Sequence, residues 1–180
     1  MFQTGQGVPQ SIKQAIALFD RACREGDAAG CENLAAIAMA QRSPENIRWA
    51  RETFQRSCAD GIQMACSNLA SVYLSGNPST TELDKARSLL VRACDAKEPS
   101  GCYNLAELLR TRLREGADAA RIVHLFQNAC DGNVAMACRR LAESYELGEG
   151  VAVDRVKAAL AKRRACMLGD QASCEDPASR

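Results

Sequence analysis

Ten cysteines, Cys23, Cys31, Cys58, Cys66, Cys94, Cys102, Cys130, Cys138, Cys166 and Cys174, form five Cys-x7-Cys pairs whose first members recur after 35, 36, 36 and 36 residues. A period of that size marks a repeat array, in which each short unit buries its apolar face against the next instead of feeding one central core. About five copies fit into the 180 residues, at approximately 9–43, 44–79, 80–115, 116–151 and a truncated 152–180. The even number and fixed spacing of the cysteines suit an oxidising, extracytoplasmic compartment.

Counting from the first cysteine of each pair, position −8 holds Ala15, Ala50, Ala86, Ile122 and Ala158. Position −4 holds Phe19, Phe54, Leu90, Phe126 and, out of pattern, Lys162, and position −1 holds Ala22, Ser57, Ala93, Ala129 and Ala165. Residues so spaced share one face of a 3.6-residue helix, here helix A of each repeat, and its small alanines permit close packing. A turn signal follows: Gly26, Gly61, Lys97-Glu98-Pro99, Gly132-Asn133 and Gly169. The second cysteine then opens helix B, which continues as Asn33-Leu34-Ala35, Asn68-Leu69-Ala70, Asn104-Leu105-Ala106 and Arg140-Leu141-Ala142, with Tyr73, Leu109 and Tyr145 a turn further on. Linkers follow at Arg42-Ser43-Pro44, at 76–80, at Glu115-Gly116 and at 148–150; Pro44 suits a first helical turn, and Ser79, Thr80 or Thr81 a cap.

Two cysteines eight positions apart cannot face each other on one straight helix, but a break between them places one at the end of helix A and the other at the start of helix B. The expected bonds are Cys23–Cys31, Cys58–Cys66, Cys94–Cys102, Cys130–Cys138 and Cys166–Cys174. Zinc and thioredoxin-type sites need much closer thiols, so neither a metal nor a redox cofactor is expected. Met1–Val8 aligns with Ser144–Val151, the end of one repeat and the entry to the next, so the chain is expected to begin inside a repeat of a longer exported protein.

The pattern Ala-x2-Leu-Phe-x3-Cys, then Gly, then Cys-x-Asn-Leu-Ala, then Tyr and Gly-x-Gly-Val resembles the Sel-one-like repeat family over nearly the whole chain. The cysteine pair in every unit is similar to the secreted Helicobacter cysteine-rich proteins and to a cysteine-rich assembly factor of the mitochondrial intermembrane space. The resemblance implies an all-α fold, a right-handed α/α solenoid of about five disulfide-stapled hairpins in a TPR-like superhelix, working as a noncatalytic adaptor for another protein. Some Helicobacter members have been linked to penicillin binding or hydrolysis, which makes an enzyme acting on the cell wall or on β-lactams the alternative, beside the mitochondrial assembly factor. The residues speak against hydrolysis: no serine begins a Ser-x-x-Lys motif, and His124 is the only histidine where a metal-dependent enzyme needs several.

Position −2 reads Arg21, Arg56, Arg92, Asn128 and Arg164, and position −9 reads Gln14, Trp49, Lys85, Arg121 and Lys157. Seven apart, the two columns share a side of helix A away from its apolar face, and Glu32, Glu107, Glu143 and Glu146 of helix B segregate the opposite charge. The expected partner is therefore a protein with an acidic or carboxylate-bearing segment, met by Arg21, Arg56, Lys85, Arg92, Arg121, Lys157 and Arg164, with Trp49 either an interface anchor or a cover for the Pro44 linker. His124 belongs to the surface. A net charge of +1 argues against nonspecific nucleic-acid binding, and the longest apolar run, Leu34–Ala40, is too short to span a membrane.

Overall fold

A computed structural model describes residues 12–41, 44–111 and 118–174. The Met1–Val8 stretch, Arg42-Ser43, Glu115-Gly116 and the tail after Cys174 lie outside them. The described residues form ten helices and no strand: α1 (Ile12–Arg24), α2 (Ala28–Gln41), α3 (Pro44–Ala59), α4 (Gln63–Leu74), α5 (Thr80–Asp95), α6 (Pro99–Thr111), α7 (Ala119–Asp131), α8 (Ala135–Leu147), α9 (Arg155–Met167) and the short α10 (Gln171–Cys174). The fold is all-α, built of consecutive disulfide-stapled hairpins as in an α/α solenoid. The chain divides into two compact units, residues 1–89 and 90–180. In the first, α1 packs on α2, α3 on α4, and α2 on both helices of the second hairpin; in the second, α6 through α10 pack in succession.

Every hairpin turns in the same way. The residue three past the first cysteine has a left-handed backbone: Gly26 (φ 88°), Gly61 (φ 92°), Lys97 (φ 63°), Asn133 (φ 67°) and Gly169 (φ 97°). At the first turn the Gly26 N–H donates to the Cys23 carbonyl at 3.0 Å and the Asp27 N–H to the Ala22 carbonyl at 2.9 Å; equivalent pairs recur at the other four turns. These bonds satisfy carbonyls that a helix end leaves orphaned, and they reverse the chain within three residues. Helix B consequently starts three residues before the second cysteine, at Ala28, Gln63, Pro99, Ala135 and Gln171, and not at the cysteine as the sequence implied.

The disulfides Cys23–Cys31, Cys58–Cys66, Cys94–Cys102, Cys130–Cys138 and Cys166–Cys174 join the end of one helix to the first turn of the next, with Cα atoms 4.5–4.8 Å apart. So close an approach needs small side chains, and the residue before each second cysteine is Gly30, Ala65, Gly101, Ala137 or Ser173, buried in every case. A Cβ on Gly30 would sit 2.7 Å from both the Ala22 Cβ and the Cys23 nitrogen.

The apolar columns supply the core. Ala15, Ala50, Ala86 and Ala158, Phe54, Leu90 and Phe126, and Leu34, Leu69, Leu105 and Leu141 are all buried, whereas Phe19 and Ile122 are half-buried. Lys162, out of pattern, reaches Glu146 from a side chain only 15% exposed. The Asn-Leu-Ala column also links neighbouring hairpins: the Asn68 amide donates to the Cys31 carbonyl at 3.2 Å, and Arg140, at the same position two repeats later, pairs with Glu107 at 3.0 Å.

Candidate protein-binding surface

The exposed side of helix A carries most of the basic columns. In the first unit Arg21, Arg56 and Lys85 are exposed and Trp49 is half-buried; in the second Arg92, Arg121 and Lys157 are exposed and Arg164 is half-buried. Their engagements differ. Arg21 pairs with Glu25 on its own helix at 3.3 Å, and the Arg56 Nε reaches the Glu52 carbonyl at 3.5 Å. Arg56 lines only a shallow hollow on one helix, with Glu52, Gln55 and Ala59.

Lys85 stacks over the Tyr73 ring at 5.8 Å, beside the Arg51 guanidinium at 5.1 Å, and Lys157 stacks over Tyr145 at 5.5 Å. Both pairs join column −9 of one repeat to the tyrosine of helix B in the repeat before. A cation over a ring face is attracted by its quadrupole while keeping its own face to water. In the sequence both tyrosines stand a turn beyond the Asn-Leu-Ala or Arg-Leu-Ala stretch of helix B, and the signal for their cation partners is the Tyr-x11-Lys spacing, present at 73/85 and again at 145/157.

Lys157 and Arg164 come together. They line one cleft of about 270 Å³ between α7, α8 and α9, with Gln127, Cys130, Leu141, Tyr145, Leu160 and Ala161. Arg164 is held there by its donor fork: one terminal nitrogen lies 3.1 Å from the Asp131 carboxylate, and the other donates to the Asp131 backbone carbonyl at 3.0 Å. A cation at the last carbonyls of α7 is well placed against that helix's dipole. Lys157 lies 3.5 Å from Asp154, the N-cap of α9, whose carboxyl is held below the usual carboxylate range chiefly because the Lys157 backbone N–H donates to it. A second cleft of about 300 Å³ is lined by Leu109, Ile122, Val123 and Phe126 but sets Arg110 against Glu149, so its charges give no preference.

The acids of helix B are not a separate stripe. Glu107 pairs with Arg110 at 2.8 Å and Arg140 at 3.0 Å, Glu143 pairs with Arg140 and Arg139, and Glu146 pairs with Lys162. The hydrogen bond that Arg140 donates to Glu143, with Glu107 beside it, raises the Arg140 pKa further, and burial raises that of Tyr103. The segregation of charge expected between helices A and B is thus offset within helix B, because its own arginines lie one turn from the glutamates.

His124 is exposed and its Nδ1 lies 3.4 Å from the Asn128 amide. Among the described residues no group of three or more His, Cys, Asp or Glu is placed to hold a metal ion, and no helix is long and apolar enough to cross a membrane. What the cleft offers is ion pairing, amide hydrogen bonding from Gln127 and apolar contact.

The Sel1 repeat profile matches residues 1–27, 63–97 and 135–160. No curated protein matches the sequence. Solved structures share the fold: a protective antigen of uropathogenic Escherichia coli displaying an SLR fold aligns over 97% of this chain and 38% of its own, with a TM-score of 0.73 and 20% identity. A Sel1 repeat protein from Oxalobacter formigenes aligns over 96% of this chain and 69% of its own, at TM-score 0.70 and 16% identity. The Helicobacter pylori cysteine-rich protein B covers 74% of this chain and 96% of its own, at TM-score 0.58 and 19% identity. The chain therefore spans well under half the length of the E. coli antigen.

Proposed function

Since this is a Sel1-repeat protein, we propose that it is a noncatalytic, extracytoplasmic interaction scaffold that receives an acidic segment of another protein on the exposed side of its A helices. Sel1 repeats generally act as scaffolds for protein–protein contacts. The observation that carries the finer reading is the cleft in which Lys157 and Arg164 flank Tyr145 and Leu160. A carboxylate entering it meets two cations with a fixed spacing, since Asp131 anchors one and Tyr145 supports the other. Five disulfides support the extracytoplasmic compartment, because such bonds form and persist where the surroundings are oxidising.

A direct test titrates a fluorescein-labelled glutamate-rich peptide against the oxidised protein and against Lys157→Glu and the Arg56→Glu/Arg92→Glu pair. Charge reversal is expected to weaken binding by about tenfold and to flatten its salt dependence. Equal affinity across the variants would discard the basic columns. For the compartment, thiols alkylated before cell lysis are expected to leave the cysteines unlabelled in an exported fraction; a reduced cytosolic pool refutes the assignment.

A further inference from the structure

Seven large apolar side chains are exposed among the described residues, and five of them, Leu147, Val153, Val156, Leu160 and Met167, fall in one short stretch of the second unit. Singly, exposed apolar residues need no explanation, but a cluster marks an interaction surface. Val156, Leu160 and Met167 are 71%, 62% and 72% exposed. At about 100° per residue they occupy one narrow arc of α9, opposite the buried Ala158, Ala161 and Ala165.

A further hairpin of the array is the first candidate to cover them, but α7 argues against it. The matching positions one repeat earlier are Ala120, His124 and Asp131, and all three are exposed although α9 follows α7 in the same unit. On α3 the same positions hold Arg48, Glu52 and Ala59, again exposed. Stacking of hairpins leaves this face open, and on α9 alone it carries three large apolar side chains.

The charge around the stripe narrows the occupant. Helix α9 contains Arg155, Lys157, Lys162, Arg163 and Arg164 and no acidic residue. Arg163 lies within the exposed arc, while Lys157 and Arg164 border it on the side where the cleft opens and Leu160 forms its rim. A second copy docking α9 on α9 would press like charges together, because a twofold contact pairs each patch with itself. An uncharged apolar segment would desolvate those cations without bringing a carboxylate to meet them.

We propose that the outward face of α9 docks an acidic amphipathic helix of a partner protein, its apolar side chains lying on Val156, Leu160 and Met167 and its carboxylates meeting Lys157, Arg163 and Arg164. This rests on the acidic-segment reading above and adds an apolar anchor, which gives affinity where surface ion pairs alone give little.

The probe is a labelled synthetic helix of about five turns, with leucine along one face and glutamate elsewhere. Its controls replace the leucines by serine or the glutamates by glutamine, and binding is read by fluorescence anisotropy. The parent peptide is expected to bind at least about tenfold more tightly than either control. Val156→Ser/Leu160→Ser/Met167→Ser is expected to lose a similar factor with its circular dichroism and melting unchanged, and Leu160→Glu alone to reproduce most of the loss. Wild-type affinity in both variants overturns the docking face; if the glutamate controls and Arg56→Glu/Arg92→Glu still respond, the acidic-segment reading survives it. Equal binding of the glutamine control removes the acidic partner itself. Concentration-dependent dimerisation abolished by Leu160→Glu, or binding to phosphatidylglycerol vesicles without binding to the peptide, assigns the face to a second copy or to a lipid surface and refutes the proposal.

Discussion

Lys97 occupies, at φ 63°, the turn position that three other hairpins give to glycine and one to asparagine. An L side chain there costs about 1–2 kcal/mol, partly offset by the 0.5–1 kcal/mol that glycine's extra freedom costs when unfolded. Lys97→Gly is expected to raise stability by up to about 1 kcal/mol, read from the guanidinium midpoint; a lowered midpoint would contradict the account. Ser57 poses the opposite question, since its hydroxyl is fully buried and makes no hydrogen bond to the protein. The other four repeats hold alanine there, so Ser57→Ala should stabilise by about 1 kcal/mol on the same assay, and a loss would mean that the hydroxyl is satisfied. Single residues were the least legible part of the sequence. Gly132-Asn133 offered two candidates for one turn, and the left-handed residue is Asn133; Gly132 is there because a Cβ would lie 2.3 Å from Pro99. A close contact with a residue 33 positions away leaves no local pattern to read.

Elements were far more legible, because capping and periodicity are local. Pro44 starts α3, and Ser79 caps α5 in a reciprocal arrangement: the Glu82 N–H donates to the Ser79 hydroxyl at 3.3 Å while the Glu82 carboxylate accepts from the Ser79 N–H at 2.9 Å. Those bonds from Ser79, backbone first and then hydroxyl, hold the Glu82 carboxyl below its ordinary value. A depressed carboxylate stabilises the fold in full above its unfolded pKa of about 4.3 and loses that contribution as pH falls through the lower folded value. The melting difference between wild type and Glu82→Gln is accordingly expected at neutral pH and should vanish below the carboxylate range; a gap that persists in acid removes the capping charge from the explanation. Each hairpin is also closed covalently over a separation of 8 residues. In the chain-entropy account Cys130→Ala/Cys138→Ala costs about 2–3 kcal/mol, and a wild-type denaturation midpoint in that variant would show that the turn alone holds the hairpin. Helix B starts three residues earlier than the sequence implies, since a tight left-handed turn lets the helix begin before the thiol it presents.

At the scale of the molecule, the cysteine period alone was enough to specify a train of stapled hairpins, because five Cys-x7-Cys pairs at a nearly constant period admit few other ways to bury the recurring apolar columns. The surface was only half legible. Column arithmetic placed Lys157 and Arg164 on one side of helix A, but the anchoring of Arg164 by Asp131 spans 33 residues and the apolar arc of α9 interrupts the polar pattern of the other repeats. Nonreducing peptide mapping of the whole chain is expected to find five links, every one within its own hairpin, and a link between hairpins would undo the architecture. Because each of those links spans a turn and none spans a linker, the chain answers mechanical load in a characteristic way. Pulled from its ends it lengthens by separating one hairpin from the next, while every turn stays shut and withholds its slack. A peptide bond cut inside a turn releases no fragment, so a nicked molecule keeps its full mass until a reductant arrives.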